Sequence, residues 1–157
     1  MSDPYEEIIN GERLLRFPPR PRHEEILMRL RRRVAASLAT LSTTKLIDLR
    51  GAVQVSPTTL LRPDIALTTA ATNKLWLAAE VISSDEHHAD TVEKKGLYEE
   101  LKLPRLWMID PRYDNVEVYF GGAYGLALQH ILANKEILTE KLLPELSLVV
   151  SRLFTGA

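Results

Sequence analysis

The stretch Leu75-Trp76-Leu77-Ala78-Ala79-Glu80-Val81-Ile82 is apolar almost throughout and carries one carboxylate in its interior. A nearly continuous run of this kind, extending to Ser83, reads as a strand covered on both faces. Upstream, Pro63-Asp64 opens a second run, Ile65 to Thr69, and Ala71-Thr72-Asn73 lies between the two. Read as a hairpin with Ala70 facing Lys74, the pairing sets Asp64 opposite Glu80 on the same face. Directly opposed residues have Cβ atoms about 4.5–5.5 Å apart. Two carboxylates so placed repel each other unless a proton or a cation sits between them. An ionised carboxylate in an apolar strand is costly unless paired or metal-bound, so the pair marks a candidate site. Hard oxygen ligands suit Mg2+ or Mn2+, with waters completing the shell.

Downstream, a helix is expected from about Ala89 to Lys102. Asp90, Lys94, Leu97, Tyr98 and Leu101 recur at spacings of three and four and share one stripe. Lys95, Glu99 and Lys102 fall on another, charged face. Lys94 is therefore the lysine that points toward the sheet, where a cation polarises water and stabilises charge on a phosphate. Two readings stay open at this stage: a catalytic group, and a buried Glu80–Lys94 ion pair without chemistry.

Further out, residues 1–21 read as an extended, loop-like lead-in, with Phe17-Pro18-Pro19-Arg20-Pro21 excluded from any helix interior. Ile26, Leu27, Leu30, Val34, Leu38 and Leu41 form the apolar stripe of a helix from about Arg22 to Thr40, with His23 at its start. Short β-like runs cover Leu46 to Leu49 and Ala52 to Ser56. Two more strands, Arg105 to Ile109 and Val116 to Phe120, flank a turn at Asp110-Pro111 and Asp114-Asn115. Gly121-Gly122 reads as a turn into Tyr124 to Leu132, and Leu146 to Phe154 as a closing helix. Strands around one central helix, with another helix leading, give an α/β (α+β) class with a mixed sheet flanked by helices.

The 157 residues suit one domain. There is no cysteine, which excludes a disulfide framework, a thiolate zinc site and a cysteine nucleophile. Twenty Lys and Arg against twenty-one Asp and Glu leave a net charge of −1, unlike a protein that coats nucleic acid by bulk charge. No run approaches the roughly 20 apolar residues of a membrane span. Met1 to Asn10 is acidic and polar, unlike a signal peptide. A cytoplasmic setting without membrane contact is expected.

In their order, Pro63-Asp64, Glu80-Val81-Ile82-Ser83, Asp90, Lys94, Tyr98, Leu103-Pro104 and Leu106-Trp107-Met108-Ile109-Asp110-Pro111 resemble the Uma-two family. These are restriction-endonuclease-like proteins of the PD-(D/E)XK nuclease superfamily. Tyr5-Glu6, Asn10-Gly11-Glu12 and Leu143-Pro144-Glu145-Leu146 extend the resemblance over nearly the whole chain. It implies a restriction-endonuclease-like fold and metal-dependent hydrolysis of phosphodiesters, with DNA as the substrate and a homodimer as a compatible assembly. Asp64, Glu80 and the Val81 carbonyl would hold Mg2+ (or Mn2+), and Lys94 would position the attacking water. The superfamily's simplest lysine position is Ile82 here; the family pattern takes the lysine from the following helix, the residue the stripe also selects. Departures are Ser83-Ser84 in place of Ser-Pro, and Arg105-Leu106 before Trp107.

Residues 11 to 33 hold eight arginines and three glutamates. Arg29, Arg32 and Arg33, with His23, are candidate contacts to a phosphate backbone; a solvated helix face is the competing reading. Adjacent His87-His88 do not suit convergence on one metal ion. The alternatives to a nuclease are a non-catalytic nucleic-acid-binding or assembly protein on the same fold, and a hydrolase of small phosphate substrates.

Overall fold

The computed structural model describes residues 3–83 and 89–156, with residues 89–91 described by their backbone. In chain order the strands are β1 (Tyr5–Ile9), β2 (Glu12–Arg16), β3 (Thr44–Leu46), β4 (Val53–Ser56), β5 (Thr59–Leu61), β6 (Ile65–Thr69), β7 (Leu75–Val81), β8 (Arg105–Asp110), β9 (Asn115–Gly122), β10 (Gly125–Ala133), β11 (Ile137–Glu140) and β12 (Leu143–Val149). The helices are α1 (Pro21–Leu38), α2 (Lys95–Glu100) and α3 (Val150–Thr155), with a π-helical turn, Ala89–Lys94, leading into α2.

A mixed sheet ordered β10-β9-β8-β7-β6-β3 forms the centre. β7 and β8 are parallel, and the remaining neighbours are antiparallel. The side chains of β7 explain why its sequence is apolar throughout. Leu77, Ala79 and Val81 join a core with Ile26, Leu27, Leu30 and Val34 of α1. Ala78 and Ile82 point the other way, into a core with Tyr98 and Leu103. Alternation along a strand then puts Glu80 on the α2 face, among apolar neighbours.

The β6–β7 hairpin has the register expected near its open end but not at its turn. The turn closes one residue early: the Thr69 N–H donates to the Lys74 carbonyl at 2.9 Å, so Thr69, not Ala70, faces Lys74. A bulge between Leu67 and Thr68 then restores the expected pairing, with Leu67 facing Leu77, Ala66 facing Ala78 and Ile65 facing Ala79. One step further sets Asp64 across from Glu80.

The N-terminal lead-in is the largest departure from expectation. Residues 5–16 are a hairpin, not a loop. Asn10 and Gly11 take φ of 50° and 85°, the left-handed pair a tight two-residue turn requires. β1 also pairs with β5, giving a second sheet ordered β2-β1-β5-β4. Residues 17–20 stay irregular, and Pro21 opens α1, where its missing N–H costs nothing. At the other end, the helix expected over Leu146 to Phe154 begins as strand. Buried Leu146 and Leu148 with exposed Ser147 between them show the period of two, and helix α3 starts only at Val150. Gly121-Gly122 ends β9 rather than forming the turn; Gly121 packs so closely on the Leu103 carbonyl that a Cβ would lie 2.1 Å from it.

Candidate functional site

Glu80 and Lys94 are each 2% exposed. The Lys94 ammonium lies 2.9 Å from Glu80 Oε1 and 2.5 Å from Oε2. Lys94 is the last residue of the π-helical turn, a wide geometry that recurs at functional sites. Its third contact was not expected from the sequence: Glu7 Oε2 of β1, at 3.0 Å. Glu7 is fully buried, takes Arg16 Nη1 on Oε1 at 2.7 Å, and accepts the Arg62 N–H on Oε2 at 2.7 Å. The second sheet thus delivers a third carboxylate to the centre. Asn10-Gly11 was the available signal, because that turn makes a strand of the segment carrying Glu7.

Asp64, 5% exposed, sits at the open end of the β6–β7 hairpin. Its Oδ2 accepts the Val81 N–H at 2.8 Å, and its own N–H donates to Glu80 Oε1 at 3.3 Å. His23 Nε2 donates to the Val81 carbonyl at 2.8 Å and lies 3.5 Å from Asp64 Oδ2. Arg50 Nε is 3.4 Å from Asp64 Oδ1, and the same guanidinium pairs with Glu24. Tyr5 lies under both Arg50 and Arg16. Asp64, Glu80, Val81, Lys94 and His23, all singled out in the sequence, therefore converge. Glu7, Arg16, Arg50, Glu24 and Tyr5 complete the group.

Of the arginines singled out on α1, Arg29 donates to the Leu153 carbonyl at 3.1 Å and Arg33 to the Ser147 carbonyl, while Arg32 is exposed. Arg29 and Arg33 thus brace the C-terminal segment. His87-His88 lie outside the described residues.

Burial alone would raise the Glu7 and Asp64 carboxyl pKa values. For Glu7 the Lys94 charge, the Arg62 N–H and Arg16 outweigh it; for Asp64 the His23 contact, Arg50 and Lys94 do so. Both end below their ordinary values. Burial would depress His23, but its contact with Asp64 raises it. Lys94, despite full burial, is held well above its ordinary value by Glu80, Tyr98 and Glu7.

These directions give the pH dependence expected of the metal-free protein. The lowered acids stabilise the fold above their ordinary values of 4.5 and 3.8, and that contribution is lost as pH falls through the lowered values. Raised His23 stabilises below its ordinary 6.5, and its contribution is lost as pH rises through its raised value. Thermal melting in EDTA is expected to fall at both extremes. His23→Gln should flatten the alkaline limb and leave the acid limb; an unchanged alkaline limb would contradict the assignment.

Asp64, Glu80, Val81, His23, Tyr5 and Lys94 line a cavity of about 10 Å³, about the room one water molecule takes. Asp64 Oδ1 is buried and accepts no hydrogen bond among the described residues, with Arg50 Nε 3.4 Å away. The Asp64 and Glu80 carboxylates beside such a space, with the Val81 carbonyl that His23 holds, are hard oxygen donors of the kind Mg2+ or Mn2+ takes. Among the described residues no group of three or more His, Cys, Asp or Glu is arranged to hold a metal. Water would supply the remaining ligands, as Mg2+ prefers.

A mixed sheet flanked by helices, with an acid pair at a hairpin end and a lysine from the following helix, has a nuclease-like fold. The family model Uma2, described as "Putative restriction endonuclease", matches residues 2–151, and the chain belongs to this family. The solved structure of a "putative nuclease belonging to DUF820" from Anabaena variabilis ATCC 29413 has the same fold, with a TM-score of 0.80 over 98% of this chain and 92% of that one, at 15% identity. No curated protein matches the chain. No helix among the described residues is long and apolar enough to cross a membrane.

Proposed function

We propose that this chain is a Mg2+- or Mn2+-dependent nuclease that hydrolyses phosphodiester bonds in DNA, in a cytoplasmic setting and as a homodimer that brings one site to each strand. The observation that carries this reading is the water-sized cavity lined by Asp64, Glu80 and Val81 together with Lys94, with Asp64 Oδ1 accepting no hydrogen bond among the described residues. Asp64, Glu80 and Val81 would hold the ion; when bound, it lowers the pKa of a ligated water and neutralises developing phosphorane charge. Lys94 orients the attacking water and offsets charge on the reacting phosphate. Glu7, with both oxygens engaged, positions Lys94 and keeps it protonated.

A second reading, a non-catalytic nucleic-acid-binding fold, draws on one feature: Lys94 engages both oxygens of Glu80, one of the two acids a metal would need. Cleavage of DNA, RNA and nucleotides with Mg2+ or Mn2+, alongside calorimetric metal titration, separates the two. The nuclease reading expects metal binding and DNA cleavage that EDTA abolishes. DNA binding without cleavage under either metal would favour the second. Glu7→Gln is expected to lower kcat about tenfold or more through the misplaced lysine, with metal affinity changed less; equal activity would remove Glu7 from the site.

A further inference from the structure

A second cavity, of about 190 Å³, adjoins the candidate site between the start of α1 and the turn after β8. His23 and Ser83 line both cavities, so the two spaces share a wall. Three arginines stand in the wall of the second, beside Ile82 and Pro111: Arg20 and Arg22 from the start of α1, and Arg112 from the turn. We propose that this cavity is a subsite for a DNA backbone phosphate, next to the diester held at Asp64 and Glu80. The inference rests on the nuclease reading and names where that substrate's flanking strand lies.

The arginines are held in ways suited to the task. Buried Asp110 grips Arg112 through Nε–Oδ1 at 3.0 Å and Nη2–Oδ2 at 2.9 Å. That fork uses one edge of the guanidinium and leaves Nη1 out of the contact with Asp110. Arg22 donates to the Pro111 carbonyl at 3.0 Å and to Asp114 at 2.9 Å. Both partners of the Arg22–Asp114 pair are half-exposed, so the pair contributes little and yields readily to a stronger acceptor. A phosphate is such an acceptor, and guanidinium binds it in a two-pronged geometry. The cavity also lies at the positive end of the α1 dipole, which adds to the field of the guanidinium groups. By contrast, Arg29 and Arg33 donate to carbonyls of the C-terminal segment.

The test is fluorescence anisotropy of a labelled DNA duplex across a salt series, with Ca2+ and separately with EDTA. Circular dichroism and melting verify that each variant is folded. Arg22→Ala with Arg112→Ala is expected to weaken binding about tenfold or more, and to make the log–log salt dependence shallower by about 1 to 2. Lys135→Ala, an exposed charge on the turn between β10 and β11, controls for loss of one charge and should change the slope less. A double variant with wild-type affinity and slope overturns the subsite while leaving the nuclease reading standing. Wild-type protein that binds no DNA in either buffer overturns the nuclease reading and the subsite with it.

Discussion

Lys94→Ala is expected to lower the free energy of unfolding by about 3–5 kcal/mol at neutral pH. The ammonium is the shared cation of Glu80 and Glu7, which are 2% and 0% exposed. Its removal takes that cation from buried Glu80 and leaves Glu7 to Arg16 and the Arg62 N–H, so ionising both acids away from water carries a large desolvation cost. Domains of this size are stable by only about 5–15 kcal/mol, so the variant should sit near the edge of folding. Its pH dependence should also shift. With the cation gone, Lys94 no longer offsets burial, which favours the protonated carboxyls, so acidification toward pH 5 should stabilise the variant relative to wild type. Urea denaturation across pH checks this. A Lys94→Ala protein as stable as wild type at pH 7 would mean that the three groups are not buried together.

Asp64→Asn is expected to reduce metal-dependent cleavage by about 10²–10³-fold or more, a loss comparable to that of a single dedicated electrostatic group in other active sites. The substitution is informative because it leaves the local structure its hydrogen bond. An amide oxygen can still accept the Val81 N–H that now donates to Asp64 Oδ2 at 2.8 Å. What is lost is the charge toward the small cavity and toward His23 and Arg50. Calorimetry should show Mg2+ or Mn2+ affinity falling with activity, while the melting temperature changes modestly. Glu80→Gln should lose cleavage to a similar degree with a larger cost in stability, because among the described residues Lys94 then keeps only the Glu7 carboxylate. Metal binding that survives both substitutions would place the ion elsewhere.

How much of the site could be read in advance follows from how local each signal is. Glu80 stood out because a charged group in an apolar strand conflicts with its own neighbours, and that conflict is written in eight consecutive residues. Asp64 followed from a register. The register held at the site although the turn did not, because a bulge near Trp76 compensated for early closure. Lys94 followed from helical spacing, and it survived even though the segment is a π-helical turn followed by a short α-helix. Glu7 could not be found this way. Its partners, Arg16, Arg62 and Lys94, are 9, 55 and 87 positions away, and nothing between them in the chain links them. Tyr5, Arg50 and Glu24 stayed hidden for the same reason.

The absence of cysteine, the near-zero net charge and the alternation of apolar runs are properties of the chain alone. They were enough for a mixed sheet flanked by helices and for an oxygen-donor metal site as the expectation. The hairpin of residues 5–16, the strand at β12 and the cavity beside Arg22 and Arg112 were settled only in three dimensions. Local patterns encode which face of an element is apolar, because the period of a strand or helix depends on adjacent residues. Which distant acid neutralises a buried lysine depends on how two sheets meet, and desolvation selects that partner only when the packed interior has formed.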